Sequence, residues 1–574
     1  MVATQDRIVV QPRLTIQTAD IAPNTTTIRS LDWDRDRFDI EFGLQNGTTY
    51  NSYLIRGEKV ALVDTSHAKF EALYFEALTG LIDPTTIDYL VISHTEPDHS
   101  GLVAKFLAIA PQVTVVGAKV ALQFLDELIH QPYEKMAVKS GSTLDLGGGH
   151  QLEFINAPNL HWPDTIFTYD HGTRILYTCD AFGMHYCSDA TFDEDLAAIE
   201  ADYRFYYECL MAPNARSVLG ALKRMEALPG CDTIAVGHGP ILRHNVTELT
   251  GRYRTWSETK TKAETLVAVF YSSDYGYSDR LAQAIAHGIT KTSVAVEMMD
   301  LNAADPQEVN ELVGRSAALI IGTPAQDNGP AIAAISTILS AAKTKQRIGV
   351  FESFGGNDEP SYPLQNKFID LGLKEAFKVI RVTDRPTEAL YQLCDEAGTD
   401  LGQALTVKET VKQMKSLDQD LDKALGRLSG GLYIITARKG NLSSAMLASW
   451  VAQASFEPLG VSIAVAKDRA IESLMQVGDR FVLNILEEGN YSHLMRHFLK
   501  RFAPGQDRFE GINTQPAQNG SPILTDALAY LECQVMSRMD AGDHWIVYSS
   551  IDTGRVSKEN GMTAVHHRKV GNHY

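Results

Sequence analysis

"ISHTEPDHSG", residues Ile92 to Gly101, places His94, Glu96, Asp98 and His99 within six positions, directly behind the apolar run "IDYLVIS". Four such side chains on so short a segment repel or desolvate one another unless positive charge sits among them. The stretch therefore predicts a metal site at the end of a buried strand. Further ligand-type residues stand at the ends of other apolar runs: His161 in "NAPNLHWPDT", Asp180 in "LYTCDAFG" and His238 in "IAVGHGP". A lone histidine in such a place is ordinarily structural, but here the set comprises four histidines and three carboxylates. Seven donors exceed what one tetrahedral ion takes and suit two metal ions sharing a bridging carboxylate.

The surrounding chain has 574 residues, which predicts about three or four domains. Hydrophobic residues make up 44% and charged residues 21%, ordinary for globular protein, and no apolar run approaches the ~20 residues of a membrane span. The N-terminus "MVATQDRIVVQPRLTIQ" has no basic region followed by an apolar run and a cleavage site, so a cytoplasmic protein is expected. A formal net charge of −19 argues against nucleic acid, which needs a basic face, and reads as a solvated acidic surface. Six cysteines are scattered without a CxxC pair, indicating neither a disulfide framework nor a zinc ribbon. Cys179 and Cys187 read as small buried residues rather than a redox switch.

Three segments differ in pattern. Over residues 1–260, short β-rich runs such as "KVALVDT" and "RILYTCD" carry ligand-type residues at their ends. Over 264–405, apolar strands alternate with helical windows ("TLVAVFYSS", "YSDRLAQAIAHGITKT", "SAALIIGTP"), which predicts a doubly wound parallel sheet. Residues 406–424, polar and charged without Gly or Pro across "TVKETVKQMKSLDQDLDKA", read as a helical connector. Over 425–574, runs such as "GLYIITARKG" and "HWIVYSSIDTGRV" predict a barrel with one helical insertion, "AIESLMQVG".

The first segment resembles the metallo-β-lactamase superfamily, whose hydrolases carry HxHxDH where this chain has Glu96 in place of the second histidine. A carboxylate there makes a harder, more anionic site, better suited to iron than to redox-inert zinc. That substitution, with a flavodoxin-like segment behind it, resembles flavodiiron proteins. The resemblance implies an αββα sandwich in which His94, Glu96 and His161 hold one iron, Asp98, His99 and His238 the other, and Asp180 bridges them.

In the second segment "YSSDYGYSD" offers Ser272, Ser273, Asp274, Tyr275, Gly276, Tyr277 and Ser278 between a strand and a helix, where backbone N–H groups and hydroxyls can hold a phosphate. "GTPAQDNGPA" and "ESFGGNDEP" also follow apolar strands. All three resemble the FMN loops of flavodoxin-like domains, which would place Thr323, Pro324, Ala325, Gln326 and Asn328, then Ser353, Phe354, Gly355 and Gly356, around the flavin ring. "SSAMLASWVAQASFEP" resembles the flavin-binding segment of split-barrel flavin reductases. Ser449, Gln453 and Ser455 would bond FMN or FAD there, with Gly542 to His544 forming a polar turn near the ring.

The three-part resemblance, to flavodiiron proteins of cyanobacteria and other oxygenic phototrophs, implies an oxygen reductase. NAD(P)H or reduced ferredoxin would supply electrons through flavin to a diiron site, reducing O2 to water as an electron sink that protects photosystem I. It further implies a head-to-tail homodimer or a hetero-oligomer with a paralogue. The alternatives are a nitric oxide reductase at the same irons, a binuclear zinc hydrolase, and a non-catalytic electron-relay subunit.

Overall fold

The computed structural model describes residues 13–38, 42–272, 278–302, 304–323, 329–353, 364–382, 386–413, 419–503 and 505–568. It divides into two compact units, one of residues 1–36 and 46–258 and one of residues 37–45 and 259–574.

In the first unit, strands β1 (Leu14–Ala22), β2 (Thr25–Asp32), β3 (Thr48–Arg56), β4 (Val60–Val63), β5 (Tyr89–Ile92), β6 (Thr114–Ala118) and β7 (Glu134–Val138) form one sheet in that order. A second sheet follows, again in chain order: β8 (Thr143–Gly147), β9 (His150–Asn156), β10 (Ile166–Asp170), β11 (Ile175–Cys179) and β12 (Thr233–Val236). Side chains alternate across a strand, and that period sorts the core. Tyr53, Ile55, Val63 and Val91 meet Phe154, Ile166, Ile175 and Tyr177 between the sheets. Their neighbours Leu54, Leu62, Leu90 and Ile92 instead pack under the helical residues Tyr74, Leu78, Phe106 and Leu125. A sheet buried on both faces explains why these strands read as continuous apolar runs.

The second unit opens with a parallel sheet of β13 (Leu266–Tyr271), β14 (Ala295–Asp300), β15 (Ala318–Thr323) and β16 (Arg347–Ser353), ordered β14-β13-β15-β16, with two short strands beyond. Alternation again divides the core: Val267 and Val269 face Leu281, Ile285, Tyr391 and Leu401, while Ala268 and Phe270 face Val309, Leu312 and Ile338. Helices thus cover both faces, as the doubly wound pattern predicts.

A seven-stranded antiparallel sheet follows. Its end strands, Leu442–Ala448 and Val451–Phe456, are separated in the chain by two residues, Ser449 and Trp450. Two edges tied by so short a link lie near one another. The expected helical insertion is a 3-10 turn, Ala470–Leu474, and an unexpected helix, Ser492–Leu499, accompanies it.

One helix runs over Glu388–Gln413, from the segment expected at 264–405 into the helical connector expected at 406–424, and a second covers Gln419–Leu425. The long helix crosses Ser278–Thr290 at close range: a Cβ on Gly288 would stand 2.0 Å from the Asp395 carbonyl oxygen, and one on Gly398 would stand 2.1 Å from that of Ile285. Only glycine allows that approach. Among the described residues no helix is long and apolar enough to cross a membrane, and no disulfide joins the six cysteines.

Candidate metal centre and flavin sites

β5 is fully buried and ends just before His94. Past the strand end, His94 and Glu96 turn to one another, His94 Nε2 lying 3.4 Å from Glu96 Oε2. Pro97 then opens a short helical turn, Pro97–Ser100, that redirects Asp98 and His99. His161 comes from the β9–β10 loop, while Asp180 and His238 follow the parallel neighbours β11 and β12.

All seven predicted residues converge in two clusters. The donor atoms of His94, Glu96, His161 and Asp180 lie within 4.8 Å of one another, as do those of Asp98, His99 and His238. In the first, His161 Nε2 stands 3.0 Å from Glu96 Oε2, and Asp180 Oδ2 stands 3.4 Å from His161 Nε2 and 3.5 Å from His94 Nε2. In the second, Asp180 Oδ1 lies 3.0 Å from His99 Nε2 and 3.1 Å from His238 Nε2, and Asp98 Oδ2 is 3.3 Å from His238 Nε2. Asp180 thus turns one oxygen to each cluster.

The electrostatics fit cations. Burial opposes ionisation of Glu96 and Asp180, yet the surrounding histidines outweigh it and hold both carboxyls well below the usual range. Burial likewise opposes protonation of His161 and His238, and the facing carboxylates overcome it, raising each to about 10. Among the described residues, the buried atoms His94 Nε2, Asp98 Oδ1 and Asp180 Oδ2 have no hydrogen-bond partner. Orphaned polar atoms cost about 1–3 kcal/mol each, and a metal ion at each cluster would satisfy them. Two-histidine, one-carboxylate sets sharing a bridging oxygen donor suit divalent first-row metals.

Sequence reasoning missed the residues behind this set. Asp164 accepts from His94 Nδ1 at 2.8 Å, Thr49's carbonyl oxygen accepts from His238 Nδ1 at 2.7 Å, and Tyr206 donates to Asp180 Oδ1 at 3.0 Å. Asp164 lies three positions past His161 in "HWPDT", and the habit of metal-bound histidines to donate to a carboxylate is the signal that would have found it. Buried His185, its ring 4.5 Å from that of His238, is held well below the ordinary imidazole range by burial and by His238. Burial pushes the Cys179 thiol far up, in keeping with a small buried residue.

The three predicted FMN loops begin at the C-terminal ends of β13, β15 and β16. Ser272 is buried there with Oγ 3.3 Å from Asn302 Oδ1, Ser278 is the first residue of Ser278–Thr290, and Thr323 and Ser353 end their strands. Ser273 to Tyr277, Pro324, Ala325, Gln326, Asn328, Phe354, Gly355 and Gly356 lie outside the described residues. In the C-terminal sheet Ser449 is buried with no partner for Oγ among the described residues, Gln453 is exposed, and Ser455 Oγ is engaged by the Pro458 carbonyl at 2.7 Å and Tyr548 at 3.0 Å. The Gly542–Asp543 turn brings His544 beside Trp450, ring centres 5.1 Å apart, so the two predicted C-terminal segments adjoin.

A family profile described as "ODP family beta lactamase" matches residues 48–239, and one described as "Flavin reductase like domain" matches residues 425–572. The chain is 69% identical over 576 residues to the protein named as diflavin flavoprotein A 3 of Nostoc sp. (strain PCC 7120), covering 100% of both chains. It is 67% identical over 565 residues to diflavin flavoprotein A 1 of Synechocystis sp. (strain PCC 6803), covering 98% of this chain and 99% of that one. A metal-soaked Flv1 flavodiiron core from Synechocystis superposes with a TM-score of 0.64 at 39% identity, over 70% of this chain and 100% of that one. The full-length identity to these relatives, on a chain with seven metal-type donors in two clusters, shows that it belongs to the diflavin flavoprotein A group of the flavodiiron proteins.

Proposed function

We propose that this flavin–diiron oxidoreductase reduces O2 to water with electrons from NAD(P)H. The observation that carries it is Asp180, whose two oxygens face two buried histidine–carboxylate clusters. His94, Glu96 and His161 would hold one iron, Asp98, His99 and His238 the other, and Asp180 would bridge. FMN would occupy the loops after β13, β15 and β16, and FMN or FAD the segment of Ser449 and Trp450. With both irons and a flavin bound, these residues would hold groups able to supply the four electrons that reduction of one O2 to two waters requires.

The protein's own residues do the rest. Glu96, Asp98 and Asp180 bring three negative charges to balance the cations, in a pocket where burial strengthens every charge interaction. Trp162, edge-on to His94 with ring centres 4.9 Å apart, keeps water from that imidazole. Tyr206 holds its hydroxyl proton against Asp180 Oδ1. Reduced ferredoxin is the alternative donor, and a head-to-tail homodimer or a hetero-oligomer with a paralogue the expected assembly, in a cytoplasmic, photoprotective setting.

His161→Ala tests this reading. It should abolish water-forming O2 uptake while NAD(P)H-to-dye electron transfer continues; unchanged O2 uptake would refute the assignment. Anaerobic NO consumption far faster than O2 uptake would move the substrate to NO.

A further inference from the structure

Resting on the dinuclear reading above, we propose that the two metal subsites are unequal. The subsite of His94, Glu96 and His161 takes the first divalent cation and holds it about 10–100-fold more tightly than the subsite of Asp98, His99 and His238. Asp164 is the positioning residue responsible.

In histidines and carboxylates the subsites match, although on the second side Cys179 also lies within 4.8 Å of His99 and Asp180. Each offers two imidazoles, one carboxylate and one oxygen of Asp180. The difference comes from the surroundings of these donors, and there the symmetry breaks.

On the first side, wholly buried Asp164 sets Oδ1 2.8 Å from His94 Nδ1. Its other oxygen accepts from the Thr95 backbone N–H at 2.8 Å and from Thr95 Oγ1 at 2.5 Å. The carboxylate is fixed by the residue next to the histidine it serves. It holds the proton on His94 Nδ1 and leaves the Nε2 lone pair facing Glu96 and Asp180, at 3.4 and 3.5 Å. An anionic acceptor also makes the imidazole a stronger donor to metal.

Among the described residues the second side has no carboxylate hydrogen-bonded to an imidazole Nδ1. His238 Nδ1 meets only the neutral carbonyl of Thr49, and no described residue partners His99 Nδ1. Tyr206 donates to Asp180 Oδ1, the oxygen that faces His99 and His238, and draws electron density from that side. The Asp98 side chain is also 20% exposed, against 10% for Glu96, so water competes more for the second cation.

The test is an anaerobic titration of the metal-stripped full chain with Co(II), followed optically and by calorimetry. The wild type should take up two equivalents in two resolved phases. His238→Ala should keep the tight phase and lose the weak one, and His161→Ala the reverse. Asp164→Asn should weaken the tight phase about 10–100-fold and alter the visible spectrum of the first Co(II) alone, with Asp164→Glu restoring part of both. A merely structural role for Asp164 would shift both phases together or neither, and would overturn the proposal, as would two phases of equal affinity in the wild type. If Asp164→Asn does not fold, Thr95→Val, which removes one anchor and keeps the carboxylate, must weaken the tight phase selectively. Wild-type uptake of fewer than two equivalents is a different result, and refutes the dinuclear reading itself.

Discussion

Tyr206 donates to Asp180 on the oxygen that faces His99 and His238, at 3.0 Å, and so acts on one side of a shared carboxylate. A hydrogen bond to a charged acceptor is worth about 1.5–3 kcal/mol. Tyr206→Phe should therefore leave two metal equivalents bound but raise the affinity of the second about tenfold. Co(II) titration of the variant checks this; an unchanged second phase would show that the hydroxyl does not tune the bridge.

Within the second unit, Lys291 Nζ lies 2.7 Å from Asp395 Oδ2 and 3.5 Å from Glu472 Oε2, and all three side chains are buried. Removing one partner from such a group strands the others, at about 3–5 kcal/mol. Lys291→Met should lower the unfolding midpoint of this unit in denaturant accordingly. Burial tends to raise the Asp395 pKa, but Lys291 and His287 outweigh it and hold the carboxyl well below the usual range. A depressed folded pKa gives stability that is present above the unfolded value of about 3.9 and is lost as pH falls below it. The wild type should therefore lose stability steeply below about pH 4, and Lys291→Met less steeply.

Asp202 runs the other way. Burial pushes its carboxyl up to about 6, against a 2.9 Å hydrogen bond from Asn46 Nδ2. An acid raised on folding binds protons more tightly in the native state, so stability falls as pH rises from about 4 towards 6. Asp202→Asn should flatten that slope and stabilise the first unit at neutral pH by about 1 kcal/mol, allowing for its partly exposed edge. Thermal unfolding at pH 5 and 7.5 measures it; an equal slope in both proteins would contradict the assignment.

That the seven candidate residues come together was legible because most stand just past apolar runs, and strand ends at one edge of stacked sheets meet in space. Asp164 was not, since "PDT" reads locally as a turn and only the folded backbone brings it under His94. A Cβ on Gly402 would stand 2.0 Å from Thr292 Oγ1, so close packing explains a glycine inside this helix, and only the folded chain shows it. The helix Ser492–Leu499 is not legible in the short run "SHLMRHFL", because Leu494 and Phe498 are buried only through packing in the folded chain.

The most direct measurement is the ratio of NAD(P)H oxidised to O2 consumed by the metal-loaded, flavin-loaded protein, with and without catalase. Four-electron reduction predicts about two NAD(P)H per O2 and no effect of catalase. A ratio of about one, with catalase returning oxygen, would mean that electrons leave as peroxide, and would contradict reduction of O2 to water at the paired site built on Asp180.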